Sequence, residues 1–279
     1  MRSTTRTIYG AKLQTSMLLD LDFDMVANTT LNEKFGIQSG VAPNAGVLPS
    51  LKYFCIGNGG HRLITGADEI PYTSSIPHRA SDAALFNHLP FVLREENNDL
   101  SSAERATYGL RREEVIDGTN YFAYYAKRLD LTGVDNALYR TTVTDGVVSS
   151  APFVPTSSNL NPEQPEEGSV GVTETEGDLL STTALIDVNF NENDVEELLA
   201  VAEIIYGNSN LAVISEIGLM TGVDRVVTVP GAGNTNFNFN EILVAQIAMH
   251  VTAFYSMAFA TNGFNFQIQM GATEPLLGE

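Results

Sequence analysis

The spacing of apolar positions along the chain predicts more strand than helix. The segment Phe264 to Met270 alternates apolar and polar side chains strictly, which puts every second one on a single face and predicts a final strand. Ile242 to Ala260 is apolar at nearly every position, and Val251, Thr252, Phe254 and Tyr255 tilt it toward a long buried strand, although periodicity leaves a buried helix open. Two hairpins are signalled more sharply. Leu110–Ile116 and Tyr121–Leu131 flank Asp117-Gly118, and Ala137–Thr144 and Val147–Phe153 flank Asp145-Gly146, the dipeptide suited to a type I′ turn. Thr182–Phe190 alternates around Leu185, Asp187 and Asn189, and two further strands, Leu211–Met220 and Asp224–Val229, are expected to join at Thr221-Gly222.

Helical spacing is rarer. Leu13, Met17, Leu18 and Leu21 predict a helix within Ile8–Phe23, Asn28-Thr29-Thr30 caps a short one over Leu31–Phe35, and Ala83, Ala84, Leu85 and Leu89 suggest one over Ala80–Arg94, interrupted near Pro90. Ser101 or Ser102 is placed to cap Ala103–Tyr108, with Glu104 in its first turn. The best helix is Asp194–Tyr206, capped by Asn191 or Asn193. Its acids crowd the N-terminal turn, Leu198, Leu199, Ala202 and Ile205 form its apolar stripe, and Gly207 ends it. Loops are expected over 38–50, between Pro71 and Pro77, and over Gly231–Asn240. The fold class that follows is α+β, a strand-rich mixed fold with a few helices and extended loops or arms.

The stretch from Lys52 to Gly66 organises the first half. An apolar strand-like run, Tyr53 to Ile56, stops abruptly in Gly57, Asn58, Gly59 and Gly60, and His61 and Arg62 leave the turn. Such a run turns sharply or lets another backbone come close. A phosphate cradle would need GxGxxG, or a Lys-Ser/Thr after the glycines, and neither is present, so a tight structural corner is the better reading. Gly57, Asn58, Gly59, Gly60 and His61 are the first candidate interaction residues.

Residues 155–178 differ in kind: Pro155, Pro162 and Pro165 and three glycines punctuate a run holding Glu163, Glu166, Glu167, Glu174 and Glu176. This acidic loop or arm is too polar to nucleate a core, and its five glutamates are the second set of candidate interaction residues. One globular unit is expected, with a mixed helical and hairpin part over 1–154, the acidic loop over 155–178, and a β-rich part with one helix over 179–279. Charge sharpens this division. Of 15 Lys and Arg, 14 lie at or before Arg140, against 16 of the 34 acids, so the first 140 residues are near neutral and the remainder carries −17 of the net −19. Such a surface repels nucleic-acid phosphates and suits a basic partner, or keeps free subunits apart before assembly.

Chemistry is sparse. His61, His78, His88 and His250 show no HExxH spacing, and the lone Cys55 sits in an apolar run as a small buried hydrophobe. His250, inside the apolar run, is read as a hydrogen-bonded core or interface histidine. The pairs Glu95-Glu96, Glu113-Glu114 and Glu196-Glu197 point neighbours to different faces and read as solvated charge. No cofactor, metal or catalytic residue is expected, nor a signal peptide or membrane span, and an enzyme is the minority reading.

Four segments, Tyr53–His61, His78–Ala84, Leu89–Arg94 and Ile214–Asp224, resemble a family of virion structural proteins from tailed bacteriophages with contractile tails. The resemblance implies a non-enzymatic subunit synthesised in the host bacterial cytoplasm and built into the virion. The expected place is a neck ring joining the head portal to the tail, made of copies of the chain and touching connector, portal-side or tail proteins, with DNA passing close by and no membrane. Ser215-Glu216-Ile217-Gly218-Leu219 also looks like β-rich baseplate and tail-fibre modules, which keeps a baseplate or tail-tip component, with a glycan-binding or glycan-cleaving role, as the alternative. The absence of Trp speaks against sugar stacking, although ten Tyr are present.

Overall fold

The structure, a computed structural model, describes residues 3–22, 49–66, 69–144, 147–160, 178–230, 236–260 and 262–275. It is strand-rich with few helices, as the apolar pattern predicts. The chain divides into two compact units, one of 1–130 with 190–264 and one of 131–189 with 265–279. The division therefore falls near 130 and 190, where the sequence suggests one unit with parts meeting at 154 and 178. Strand pairing between distant segments sets these limits, and a reading of local composition does not register it.

The first unit is built on an eight-stranded sheet of order β1-β13-β12-β2-β8-β6, with β5 on β2 and β7 on β8. Its strands are β1 (Ser3–Arg6), β2 (Ser50–Gly57), β5 (His88–Leu89), β6 (Val92–Glu95), β7 (Tyr108–Ile116), β8 (Thr119–Arg128), β12 (Val213–Pro230) and β13 (Asn236–Ser256). Strand β2 lies between β12 and β8 and is buried on both faces, since Tyr53, Phe54, Cys55 and Ile56 are all inaccessible. That explains why this segment is continuously apolar instead of alternating. Tyr53, Cys55, Ala123, Tyr125, Met220 and Ile247 belong to one core cluster. Phe54 meets Phe91 and Phe190 edge-on, at ring centroid distances of 5.2 and 5.7 Å.

Among the described residues, three α-helices and one separate ribbon accompany this sheet. Helix α1 (Ile8–Leu18) is capped by the Thr7 hydroxyl, which accepts from the Gly10 N–H at 3.1 Å and donates to the Ile247 carbonyl at 2.6 Å. It buries Gly10, Leu13 and Ser16, while Met17, Leu18 and Leu21 face solvent, so of the apolar residues that announce it in sequence Leu13 alone docks it, beside two small residues. Helix α2 (Ser102–Arg105) carries a full capping box between Ser101 and Glu104. Helix α3 (Ser157–Leu160), a single turn, belongs to the second unit. Helix α4 (Glu192–Tyr206) is capped by Asn191 in a box with Asp194 and buries Val195, Leu198, Val201 and Ala202, a stripe turned slightly from the predicted one. Strands β3 (His61–Thr65) and β4 (Pro71–Ser75) form a two-stranded ribbon where sequence suggests loop between Pro71 and Pro77.

Other expectations are corrected. The helix over Ala80–Arg94 does not form; the segment holds a turn at Arg79–Asp82 and the short strands β5 and β6. Pro90 lacks a donor, and the Phe86 and Asn87 amides are taken by a side chain on β12, so no i→i−4 ladder is left to them. The two strands expected to meet at Thr221-Gly222 are one, β12, whose ladder with β13 absorbs irregularities at Ile214/Glu216, Leu219/Met220 and Val223/Asp224. The first predicted hairpin forms as β7–β8, with Asp117 and Gly118 at φ 49° and 82°, as a type I′ turn requires. The helix at Leu31–Phe35, the turn at Asp145-Gly146, most of 155–178 and the last residues lie outside the described residues.

The second unit is a four-stranded sheet of order β10-β9-β11-β14, with β9 antiparallel to both β10 and β11, from β9 (Asn136–Thr144), β10 (Val147–Pro152), β11 (Leu179–Phe190, whose last residue is counted in the first unit) and β14 (Phe264–Pro275, whose first residue is likewise in the first unit). Among the described residues of this unit, Asp178 is buried just before β11, and Thr183, Ile186, Val188, Phe266 and Ile268 are buried on β11 and β14. Strand β10 is exposed along its whole length.

Candidate functional site

The glycine corner that dominates the sequence is built around a residue nowhere near it in the chain. Glu216 sits on β12 directly opposite Gly57 on β2, and its carboxylate is fully buried. One oxygen, Oε1, accepts from the Gly59 N–H at 2.7 Å and the Asn87 N–H at 3.1 Å. The other, Oε2, accepts from the Phe86 N–H at 2.8 Å and faces His78 Nε2 at 2.8 Å. Three backbone amides and an imidazole thus converge on one carboxylate, the donor arrangement of an anion-binding loop. Here the anion is the chain's own side chain.

Each candidate residue of the corner has a place in this arrangement. Gly57, the last residue of β2, has no room for a side chain, since a Cβ there would lie 2.3 Å from the Asn87 carbonyl oxygen and 2.7 Å from Glu216 Oε1. Asn58 donates from its backbone to the Asn87 carbonyl at 3.1 Å, and its side chain donates to the Tyr206 hydroxyl at 2.9 Å and accepts from the Asn87 amide at 2.6 Å. Gly60 donates to the Ser215 hydroxyl oxygen at 3.0 Å and accepts from the Ile76 N–H at 2.8 Å, which ties the end of the β3–β4 ribbon to the corner. His61 Nδ1 lies 2.9 Å from the same Ser215 hydroxyl, and its ring stands edge-on to Phe254 at 5.1 Å. The corner is structural, as the sequence suggests. Glu163, Glu166, Glu167, Glu174 and Glu176 lie outside the described residues.

A ring stack backs the carboxylate. His78 lies between Phe86 at 4.1 Å and His250 at 3.9 Å, the planes within 9° and 12° of parallel. Both nitrogens of His78 face carboxylates, Glu216 at 2.8 Å and Asp82 at 3.3 Å. Burial pushes Asp82 up, but hydrogen bonds from Arg79 and His78 outweigh it and hold the acid below the usual carboxylate range. His250 is fully buried, and its Nε2 donates to the Asp82 carbonyl at 3.1 Å while Nδ1 has no partner among the described residues. Burial, then the neighbouring His78, pushes His250 down to about 4. Its reading as a hydrogen-bonded core histidine fits. Cys55 is buried beside this network, and burial followed by the charge of Glu216 pushes its thiol up, out of the reactive range.

Glu216, His78, Phe86 and Asn87 escape the sequence reading. A signal exists at Glu216, one acid in the otherwise uncharged run Ile214 to Met220. Phe86 and Asn87 carry none, because backbone amides have no signature in sequence. Carboxylate pairs read as solvated charge are partly engaged as well. Glu197 forms a two-pronged contact with Arg94, and Glu114 accepts from the Tyr125 hydroxyl at 2.6 Å. Asp224 likewise gathers Lys52, the Tyr53 hydroxyl at 2.7 Å and Arg128 at 3.0 Å, and Lys127 reaches Asp194. Basic residues of the first half therefore neutralise acids of the second half inside the first unit.

The family described as of unknown function, DUF7208, matches residues 1–279. The chain belongs to DUF7208. No curated protein and no solved structure matches it, so the geometry of this DUF7208 chain carries the functional reading by itself. Among the described residues, no group of three or more His, Cys, Asp or Glu is placed to hold a metal ion, and no helix is long and apolar enough to cross a membrane.

Proposed function

We propose that the chain is a non-enzymatic structural subunit of a tailed-phage virion, a ring component of the neck between head portal and contractile tail. The observation that supports this most is a pair of two-stranded ribbons that leave the sheet of the first unit. The β3–β4 ribbon exposes Leu63, Ile70 beside its turn, and Tyr72, at 73%, 61% and 52%. The outer part of β12–β13, Arg225–Pro230 against Asn236–Glu241, pairs with no third strand among the described residues and exposes Val226 at 64%. A two-stranded ribbon is marginal in water, and exposed aromatic and aliphatic side chains on it are stabilised by packing against a neighbour. Closed rings of repeated subunits supply such neighbours.

The corner contributes rigidity to this role. By consuming its own amides on Glu216, it fixes where the β3–β4 ribbon departs, so every copy presents its apolar residues in one orientation. The baseplate or tail-tip reading keeps one supporting observation: the Ser215–Leu219 segment that looks like baseplate modules forms the centre of the corner. To test assembly through the ribbons, Leu63→Lys with Tyr72→Lys is introduced and compared with wild type by sedimentation and by complementation of particle formation. The expected result is a folded protein that no longer enters particles. Normal particle yield and infectivity from the double variant would remove the ribbon from the account.

A further inference from the structure

We propose that β10 is the docking edge for an extended strand of a basic protein, a partner distinct from a second copy of this chain; this holds whether or not the virion reading does. β10 is the outermost strand of its sheet and pairs only with β9 among the described residues. The Phe153 N–H donates to the Leu138 carbonyl at 2.8 Å, which fixes the alternation of the ladder. Ala151, Ser149 and Val147 therefore direct their backbone groups to β9, and Val148, Ser150 and Pro152 direct theirs away. Pro152 falls at an outward position, where its missing N–H takes nothing from the ladder.

The edge strands β1, β6, β7 and β14 are guarded. β1 and β6 are short and carry Arg6, and Arg94 with Glu95; β7 carries Arg111, Arg112, Glu113 and Glu114; β14 carries Gly271, Glu274 and Pro275. Charges, short length and proline are the usual protection against strand addition. Val147 to Pro152 has no charge at all, and Val147 and Val148 are each 68% exposed. An edge so bare is adapted to receive a strand.

Charge selects the occupant. The residues of this unit include 11 acids against one base, Arg140, and Arg140 is bound to the buried Asp178 at 2.6 Å. A second copy would bring the same net negative charge, whereas a strand flanked by Lys or Arg is of opposite sign to the unit.

The test uses the full chain and two synthetic strand peptides of alternating valine and threonine, one with lysines at both ends and one with glutamates there. Amide exchange by NMR should show slowed exchange at Val148 and Ser150 with the lysine peptide only, and the affinity should fall as salt is raised. Val148→Pro removes an outward donor without touching the ladder to β9 and should weaken binding about ten-fold. Should that variant misfold, Ser150→Lys should weaken and Ser150→Glu strengthen binding of the lysine peptide. Equal binding of both peptides, no protection of the two amides, protection already present without peptide, or concentration-dependent self-pairing at β10 would each overturn the proposal.

Discussion

Replacing Glu216 by Gln tests whether the corner is held by one buried carboxylate. The carboxylate supplies two oxygens, each facing two donors: Gly59 and Asn87 on one side, Phe86 and His78 on the other. Glutamine supplies one oxygen, and its amide group points two further hydrogens at the second pair of donors. Each donor left unsatisfied in a buried site costs ~1–3 kcal/mol, so the pair costs about 2–6 kcal/mol. That is a large share of the ~5–15 kcal/mol that holds an ordinary domain folded. Because the chain has two units, a global unfolding curve mixes their contributions, and local exchange reads the corner more directly. We expect the Gly59, Phe86 and Asn87 amides to exchange at least 30-fold faster in Glu216→Gln, as a loss of ~2 kcal/mol implies. The urea midpoint of the first unit should drop with them. Glu113→Gln, at an exposed acid on β7, should stay within ~0.5 kcal/mol of wild type. If the two variants behave alike, the carboxylate does not organise the corner and the reasoning fails.

Two further outcomes follow from the same network. His250 has a folded pKa of about 4 against an ordinary 6.5, so the unfolded chain binds a proton that the folded chain refuses. Its effect on stability is nil above pH 6.5, and stability falls by about 3 kcal/mol as pH drops from 6.5 to 4. Urea unfolding of wild type and His250→Gln between pH 4.5 and 7.5 should show a shallower pH slope in the variant; identical slopes would rule out His250 as the cause. Gly57→Ala places a methyl 2.3 Å from a backbone oxygen that cannot swing aside. It should destabilise the first unit by about 1–3 kcal/mol, and an unchanged urea midpoint would mean that β2 and the 86–88 segment separate more easily than their packing suggests.

Much of the fold is legible in the chain because its signals are local. Asp117-Gly118 needs only its own φ angles to make a hairpin, Asn191 and Asp194 cap α4 from within the helix, and Phe264 to Met270 declares its faces by alternation. What is not legible depends on partners far away in sequence. The Ala83–Leu89 spacing imitates a helix, yet the Phe86 and Asn87 amides within it bind Glu216, 130 residues from Phe86. Gly222 reads as a break, yet β12 runs through it because bulges against β13 absorb the strain. The charge split between halves is real in sequence, yet Lys52, Arg94, Lys127 and Arg128 carry positive charge across to Asp224, Glu197 and Asp194, so the net −19 divides almost evenly between the units, −9 on the first and −10 on the smaller second. Of the candidate site, the glycines and His61 are visible as a corner, but the carboxylate that gives the corner its shape is visible only as one acid in an apolar strand.

The most direct test of the central claim is immunogold electron microscopy with antibody to this protein, on particles from a producing lysate, both intact and dissociated. The neck reading predicts gold at the junction of head and tail. Gold at the distal end of the tail would move the protein to the baseplate and make host-surface glycans the next ligands to try. Particles that carry no gold, whole or dissociated, would contradict a place in the virion altogether.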